Sequence, residues 1–290
     1  MICKAGNPFA VGENPSLRPS PCAIVIFGAT GDLTARKLMP ALYRLFEERA
    51  LPAEFAVIGA ARTALSDDQF RNRAKSAVEK YGRRPPQPDL WESFSRRLFY
   101  ESLSGVQAAD YARLKGRLQD LDAQAALPWN RIFYLAVSPE LYGAIADNLA
   151  ASGLSGGSDT GRVARLLVEK PFGRDLDSAR RLNADLRRGF SEDRIFRLDH
   201  YLGKETVQNI LIFRFANGLF EPLWNRNYIS AIQISMAEEI GVGLRAAYFD
   251  RTGILRDIVQ NHLLQILALL CIEPPISLLD AESIRDEKVK

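Results

Sequence analysis

Hydrophobic residues occur in short uninterrupted runs that alternate with segments of helical periodicity. The first run, Ala23–Phe27, is wholly apolar and lies between Pro21 and Gly28, which predicts a strand buried on both faces. Apolar residues at helical spacing follow it as far as Pro52, and the run Phe55–Gly59 then repeats the strand pattern. These segments together predict one βαβ unit.

The same alternation continues along the first two thirds of the chain. Arg131–Val137 and Arg162–Pro171 are further apolar strands, and the segments between them have helical periodicity. This pattern predicts an α/β fold with a doubly wound, Rossmann-like parallel sheet. We assign residues 22–198 to this domain and the Pro-, Gly- and Ser-rich residues 1–21 to a flexible lead-in.

The pattern changes after about residue 199. Lys204–Phe215 predicts a helix, and Ser230–Glu238 alternates like a strand with one solvated face. Asp257–Leu270 is apolar around most of its circumference, which predicts a buried helix. Residues 199–290 are therefore expected to begin a second, α+β domain with an antiparallel sheet, of which this chain contains one strand.

Composition excludes several classes of protein. Of 290 residues, 47% are hydrophobic and 25% charged, as in ordinary globular domains. The net charge is only +3 and the basic residues are dispersed, so we expect no nucleic-acid partner. The longest apolar run, Leu263–Ile272, is far shorter than the ~20 residues of a membrane span. Three scattered cysteines and no secretory leader favour the cytoplasm, and no metal-ligand spacing predicts a metal site.

A glycine-containing turn follows the first strand. Glycine permits a tight turn and a close approach of the backbone, and the helix that follows offers N–H groups and a positive dipole end to a phosphate. The motif G-x-x-G at this position therefore predicts a pyrophosphate site, although a plain strand-to-helix turn is the alternative. The residues of the turn are Gly28, Ala29, Thr30, Gly31, Asp32 and Leu33.

The second strand ends in a sequence that favours NADP over NAD. NAD enzymes usually place an acid here to bind the ribose 2′-hydroxyl, whereas this chain has Gly59-Ala60-Ala61-Arg62. No acid would repel a 2′-phosphate, and Arg62 can bind one through two hydrogen bonds. The alternative for Arg62 is a solvated surface charge, since arginine is abundant in this chain.

The segment Glu169–Gly173 (EKPFG) follows the strand within 162–171. Open α/β sheets bind ligands at the carboxyl ends of their strands, so Lys170 could contact both cofactor and substrate. Pro171 would restrict the backbone of Lys170, with a cis bond as one way of doing so. The alternative is an ordinary turn with two surface charges.

Nine residues, Arg197–Glu205, contain two acids and several basic and aromatic groups. An extended chain through Asp199 and His200 would direct these two side chains to opposite sides. His200, Tyr201 and Lys204 surround the start of the next helix, whose dipole favours an anion such as a sugar phosphate. A polar turn between domains is the alternative.

The second of the two histidines, His262, flanks a polar stripe on an apolar helix. Oxidation of an alcohol by hydride transfer requires a base for the hydroxyl proton, and histidine suits that role. A carboxylate bonded to its other ring nitrogen would fix the tautomer, and Asp199 is our candidate. The alternative is a core histidine with satisfied hydrogen bonds.

These motifs, in this order, resemble the glucose-6-phosphate dehydrogenase family. The resemblance rests on GATGDLTARKL, the arginine of GAAR, EKPFG, RLDHYLGKE and RDIVQNHLLQ, and it extends from about residue 22 to residue 290. It implies transfer of hydride from C1 of D-glucose 6-phosphate to NADP, giving 6-phospho-D-glucono-1,5-lactone. This reaction opens the pentose phosphate pathway.

The resemblance also implies roles for individual residues. His262 corresponds to the general base and Asp199 to its hydrogen-bonded partner. Lys170 would touch substrate and NADP. The residues that would hold the sugar phosphate or sugar hydroxyls are His200, Tyr201, Lys204, Glu238 and Asp257.

Family members continue well beyond residue 290 and form homo-oligomers. Two hypotheses therefore remain for this chain. It is an active dehydrogenase, as part of a longer chain or completed by a separate one, or it is a fragment that binds NADP but cannot assemble the sugar site.

Overall fold

A computed structural model describes residues 19–104, 107–124, 129–156, 162–237 and 246–290. It divides into two compact units, residues 1–197 and 198–290. The predicted lead-in lies almost entirely outside the described residues.

The first unit contains most of a six-stranded sheet with the order β3-β2-β1-β4-β5-β6, the order typical of dinucleotide-binding domains. Every strand pair with a defined register is parallel. The strands are β1 (Cys22–Phe27), β2 (Phe55–Ala61), β3 (Leu98–Ser102), β4 (Asn130–Leu135), β5 (Ala164–Glu169) and β6 (Ile195–Leu198). The four strands predicted from the sequence are confirmed to within two or three residues; β3 and β6 were not predicted.

Helices cover the sheet. The helices of the first unit are α1 (Met39–Glu47, preceded by a π-helical turn at Thr34–Leu38), α2 (Asp67–Tyr81), α3 (Pro88–Ser95), α4 (Ala108–Ala123), α5 (Tyr142–Ala151) and α6 (Leu176–Gly189). Alternate residues of β1 enter two separate hydrophobic cores: Ala23, Val25 and Phe27 pack in one, and Ile24 and Ile26 in the other. Burial on both faces explains why this strand is wholly apolar.

The second unit is helical in its described part. Its helices are α7 (Glu205–Phe215), α8 (Ala246–Ile254), a π-helical segment (Leu255–Leu263), α9 (Leu264–Cys271) and α10 (Ala281–Val289). The helix predicted at Lys204–Phe215 is confirmed, with Lys204 as its N-cap.

Two predictions for this unit are wrong. Residues 230–237 form no strand and are largely exposed, because no neighbouring strand among the described residues pairs with them. Residue 238 lies outside the described residues. The helix predicted as buried over Asp257–Leu270 is helical but only partly buried: His262 is fully buried, whereas Leu264 is 49% exposed.

One helical segment of this unit bears on the expectation that no part of the chain spans a membrane. The segment Thr252–Cys271, in which the backbone of Gly253 is non-helical, has 20 residues and a mean hydropathy of 1.3 in its most apolar window, so it is long and apolar enough to cross a membrane by length and composition alone. The sequence expectation rested on the apolar run Leu263–Ile272, which Gln265 interrupts, whereas the helical segment begins eleven residues earlier; 11% of its most apolar window is buried.

Candidate active site

The glycine turn after β1 has a geometry that requires glycine. Gly28 has a φ of +85°, and a Cβ atom there would lie 2.1 Å from the carbonyl oxygen of Ala136. The Thr34 hydroxyl donates to the Gly28 carbonyl at 3.1 Å, and the Gly31 N–H donates to the same carbonyl at 2.9 Å. The turn is therefore rigid before any ligand binds. Helical structure begins at Asp32, which directs a helix N-terminus at the turn as predicted.

A cavity of about 430 Å³ borders this turn. Ala29 and Thr30 form part of its wall, and Arg73 of α2 contributes a cation that we did not single out from the sequence. The volume lies within the range of small-molecule sites. Arg62 directly follows β2 and is exposed, and the turn and the arginine both lie at the carboxyl ends of neighbouring strands.

Lys170 directly follows β5, and the Lys170–Pro171 peptide bond is cis. The half-buried Tyr134 and the buried Tyr142 hold the residue before it. The hydroxyl of Tyr134 donates to the Glu169 carboxylate, and the hydroxyl of Tyr142 donates to the Glu169 carbonyl oxygen at 3.1 Å. Burial and the adjacent carboxylate raise the pKa of Tyr134, which keeps its hydroxyl protonated as a donor. The tyrosines therefore fix the backbone from which Lys170 projects.

Replacing Tyr134 by phenylalanine should destabilise the first unit. The change leaves the half-buried Glu169 carboxylate without its donor, and hydrogen bonds to charged groups contribute about 1.5–3 kcal/mol. We expect urea unfolding to show a loss in this range. Tyr228→Phe is the control, because Tyr228 is 68% exposed and should change stability by less than about 0.5 kcal/mol. Equal stability of the two variants would contradict this role of Tyr134.

The second unit brings together Asp199 and His262, which are 63 residues apart in the chain. The Nδ1 atom of His262 lies 2.6 Å from Oδ1 of Asp199, and the His262 side chain is fully buried. An ionised carboxylate can only accept, so His262 donates its Nδ1–H and keeps Nε2 as an acceptor. This is the tautomer that a general base requires.

The backbone around both residues supports this pair. Asp199 directly follows β6, and its Oδ1 also accepts the backbone N–H of Tyr201 at 3.0 Å. His262 lies in the π-helical segment, and its N–H donates to the side-chain oxygen of Asn261 at 2.7 Å. π-Helical turns are frequent at functional sites. The buried Asp257 lies on the same segment, one turn before Asn261.

Three further predicted residues lie around His262. The Tyr201 ring stacks on the His262 ring at 4.1 Å between centroids, and the His200 ring meets it edge-on at 4.7 Å. The Lys204 ammonium lies 3.5 Å from the centroid of the Tyr201 ring. His200 and Lys204 are exposed, whereas Tyr201 is buried with its hydroxyl against the sulfur of Met236.

One geometric expectation is wrong. Asp199 and His200 do not direct their side chains to separate partners, because β6 ends at Leu198 and the chain turns immediately afterwards. Both side chains instead lie against His262. Glu238, which the resemblance placed at the sugar hydroxyls, lies outside the described residues.

Asp199, His200 and His262 offer three donor atoms within 4.8 Å of one another. Such a group could bind a divalent cation. In this structure His262 and Asp199 instead form a short hydrogen bond with each other.

Comparison with known proteins agrees with these motifs. Residues 25–209 match the family model of the glucose-6-phosphate dehydrogenase NAD binding domain, and residues 211–290 match that of the C-terminal domain. The chain is 47% identical over 281 residues to glucose-6-phosphate 1-dehydrogenase of Chlamydia pneumoniae, covering 96% of this chain and 55% of that protein. It is 45% identical over 267 residues to the Bacillus subtilis enzyme, covering 92% and 53%.

A solved structure of glucose-6-phosphate dehydrogenase in complex with its substrate glucose-6-phosphate superposes with a TM-score of 0.84 at 37% identity. The match covers 94% of this chain and 55% of that one. The chain thus spans about half the length of the relatives it matches. With both family models and these identities, the chain belongs to the glucose-6-phosphate dehydrogenase family.

Proposed function

We propose that this chain carries the cofactor site and the proton-transfer pair of an enzyme that oxidises D-glucose 6-phosphate to 6-phospho-D-glucono-1,5-lactone. NADP, when bound, accepts the hydride from C1. The observation that carries the proposal is the hydrogen bond between Asp199 and His262, which prepares a neutral imidazole as a base. Nε2 of His262 accepts the proton of the C1 hydroxyl, and Asp199 stabilises the imidazolium that results.

The other predicted residues bind and orient the ligands in this proposal. His200 and Lys204 are exposed beside the base and suit the dianionic phosphate of the substrate. Tyr201 packs against the base, and the buried Asp257 is assigned to the sugar hydroxyls. The cofactor pyrophosphate is assigned to Gly28–Leu33, and Lys170 to both ligands.

The proposal also covers the substrate, the cellular compartment and the oligomeric state. The substrate assignment is supported by the substrate complex of the related solved structure. We place the reaction in the cytoplasm, without a nucleic-acid or membrane partner. The homo-oligomer expected for the full-length family is proposed for the longer protein and not for these 290 residues alone.

The experiment is to add NADP and glucose 6-phosphate to the purified chain and follow the near-ultraviolet absorbance of NADPH. We expect NADPH to form with glucose 6-phosphate and not with unphosphorylated glucose. Binding of NADP without NADPH formation would support the alternative, a fragment that binds cofactor but is inactive. Absence of both binding and turnover would contradict the proposal.

Arg62→Ala should weaken NADP binding far more than NAD binding. A charge-assisted hydrogen bond contributes about 1.5–3 kcal/mol, so the dissociation constant of NADP should rise by roughly 10–150-fold. Isothermal titration with each nucleotide measures both constants. Arg96→Ala is the control, since Arg96 is an exposed residue that pairs with Glu92 on α3. Equal losses for the two nucleotides would contradict a 2′-phosphate role for Arg62.

A further inference from the structure

One oxygen of the Asp199 carboxylate has no hydrogen-bond partner among the described residues. Oδ1 accepts from both His262 and the backbone of Tyr201, whereas Oδ2 is buried and accepts from no described group. A buried carboxylate oxygen without a partner is costly, because the charge has lost its water. The pair therefore needs a nearby positive charge.

Helix α10 supplies a cation at this place. The Lys288 ammonium donates to the side-chain oxygen of Gln265, which lies one turn after His262 on the same continuous helix. Lys288 is half-buried, and burial and the charge of Arg285 lower its pKa while the charge of Asp199 raises it. Lys288 bonds to Gln265 and Asp199 bonds to His262, so the ammonium and the carboxylate contact successive turns of the same helix.

We propose that Lys288 is a positioning residue of the proton-transfer pair, whose ammonium group compensates the second carboxylate oxygen of Asp199. Gln265 holds the ammonium in place by accepting one of its hydrogen bonds. The assignment of His262 as a base rests on the proposed function. The electrostatic interaction of Lys288 with Asp199 and His262 does not depend on that assignment.

The charge of Lys288 also affects the protonation of His262. A carboxylate bonded to Nδ1 favours the imidazolium, and an imidazolium cannot accept the hydroxyl proton of the substrate. The positive charge of Lys288 opposes this effect and so favours the neutral ring at neutral pH. In the described part of the chain, the charged or titratable groups beside His262 or one turn away include Asp199, His200, Tyr201 and Asp257, with Lys204 against Tyr201. Helix α10 adds Arg285, which acts on Lys288 and pairs with Glu282.

The test is an NMR titration of the histidine ring signals, which is simple because the chain contains only two histidines. Lys288→Met removes the charge and keeps most of the stem. Lys288→Gln also removes it but keeps a donor for Gln265. In both variants we expect the titration midpoint of His262 to rise by roughly 0.5–1 pH unit.

Lys290→Met and Lys288→Arg are the controls. Lys290 is the C-cap residue of the same helix and pairs at 2.7 Å with Glu287, so its loss changes the net charge equally but should leave the His262 midpoint within about 0.2 pH unit. Arginine at 288 should restore the wild-type midpoint. An unchanged midpoint in a folded neutral variant, or an equal rise in Lys290→Met, would overturn the proposal.

The titration measures the pair itself and requires no turnover. If the chain forms no NADPH but the midpoint rises, the proposed function fails and the role of Lys288 stands. If NADPH forms but the midpoint does not change, the proposed function stands and the role of Lys288 fails.

Discussion

Replacing His262 by asparagine should lower kcat for NADPH formation from glucose 6-phosphate by about 10²–10⁴-fold, the contribution typical of a general base. Asparagine retains hydrogen-bonding ability but cannot accept the hydroxyl proton. His262 is fully buried and its Nδ1 bonds to Asp199, so the substitution removes the ring nitrogen that would accept the proton. Absorbance of NADPH at saturating substrate measures the effect.

The other histidine provides the matched control. His200→Asn should raise KM for glucose 6-phosphate and change kcat much less, since His200 is exposed beside the pair and is assigned to the phosphate. NADP affinity should be unchanged in both variants. Undiminished turnover in His262→Asn would remove this residue as the base.

Replacing Asp199 by asparagine should lower kcat by up to about 10⁴-fold, the loss measured when the buried aspartate of another His–Asp pair is changed in this way. The new amide can donate to Nδ1 of His262, which moves the ring proton to Nε2 and leaves no acceptor for the substrate hydroxyl. In the wild type Oδ1 of Asp199 accepts from both His262 and the backbone N–H of Tyr201, so an amide nitrogen at that position loses the bond to Tyr201, and circular dichroism should check that the variant is folded.

Asp257→Asn is the control for this change. Asp257 is also buried and lies on the same helix as His262, but it is assigned to sugar hydroxyls, so the variant should mainly raise KM. A kcat within tenfold of wild type in Asp199→Asn would contradict its role in selecting the tautomer.

The sequence predicted the strands and helices whose hydrophobic pattern can be recognised without knowing what they pack against. The apolar run of β1 is buried on both faces, and the glycine turn after it has the left-handed backbone that glycine permits. The edge strand β3 escaped prediction because only its first three residues, Leu98–Tyr100, are hydrophobic, which is too short a run to predict a strand. The prediction of a strand at 230–238 is wrong for the described residues, 230–237. Alternation of polar and apolar residues indicates one buried face, but a strand also needs a neighbouring strand to pair with.

The candidate site was predictable where chemistry or resemblance linked distant segments. The pairing of Asp199 with His262 follows from the need of a base for a carboxylate partner, and the structure places the two atoms 2.6 Å apart. Lys288 and Tyr134 could not be found in this way, since each acts through contacts that exist only after helices and strands have packed. A lysine in a charged segment has no distinguishing pattern.

The reaction proposed for this protein is the transfer of a hydride from C1 of glucose 6-phosphate to NADP. The most direct measurement is mass spectrometry of the nicotinamide product after reaction with glucose 6-phosphate deuterated at C1. We predict that the deuterium is found in the reduced nicotinamide ring and that His262→Asn forms this product far more slowly. Reduced cofactor without deuterium, or deuterium transfer at an undiminished rate in His262→Asn, would contradict the account.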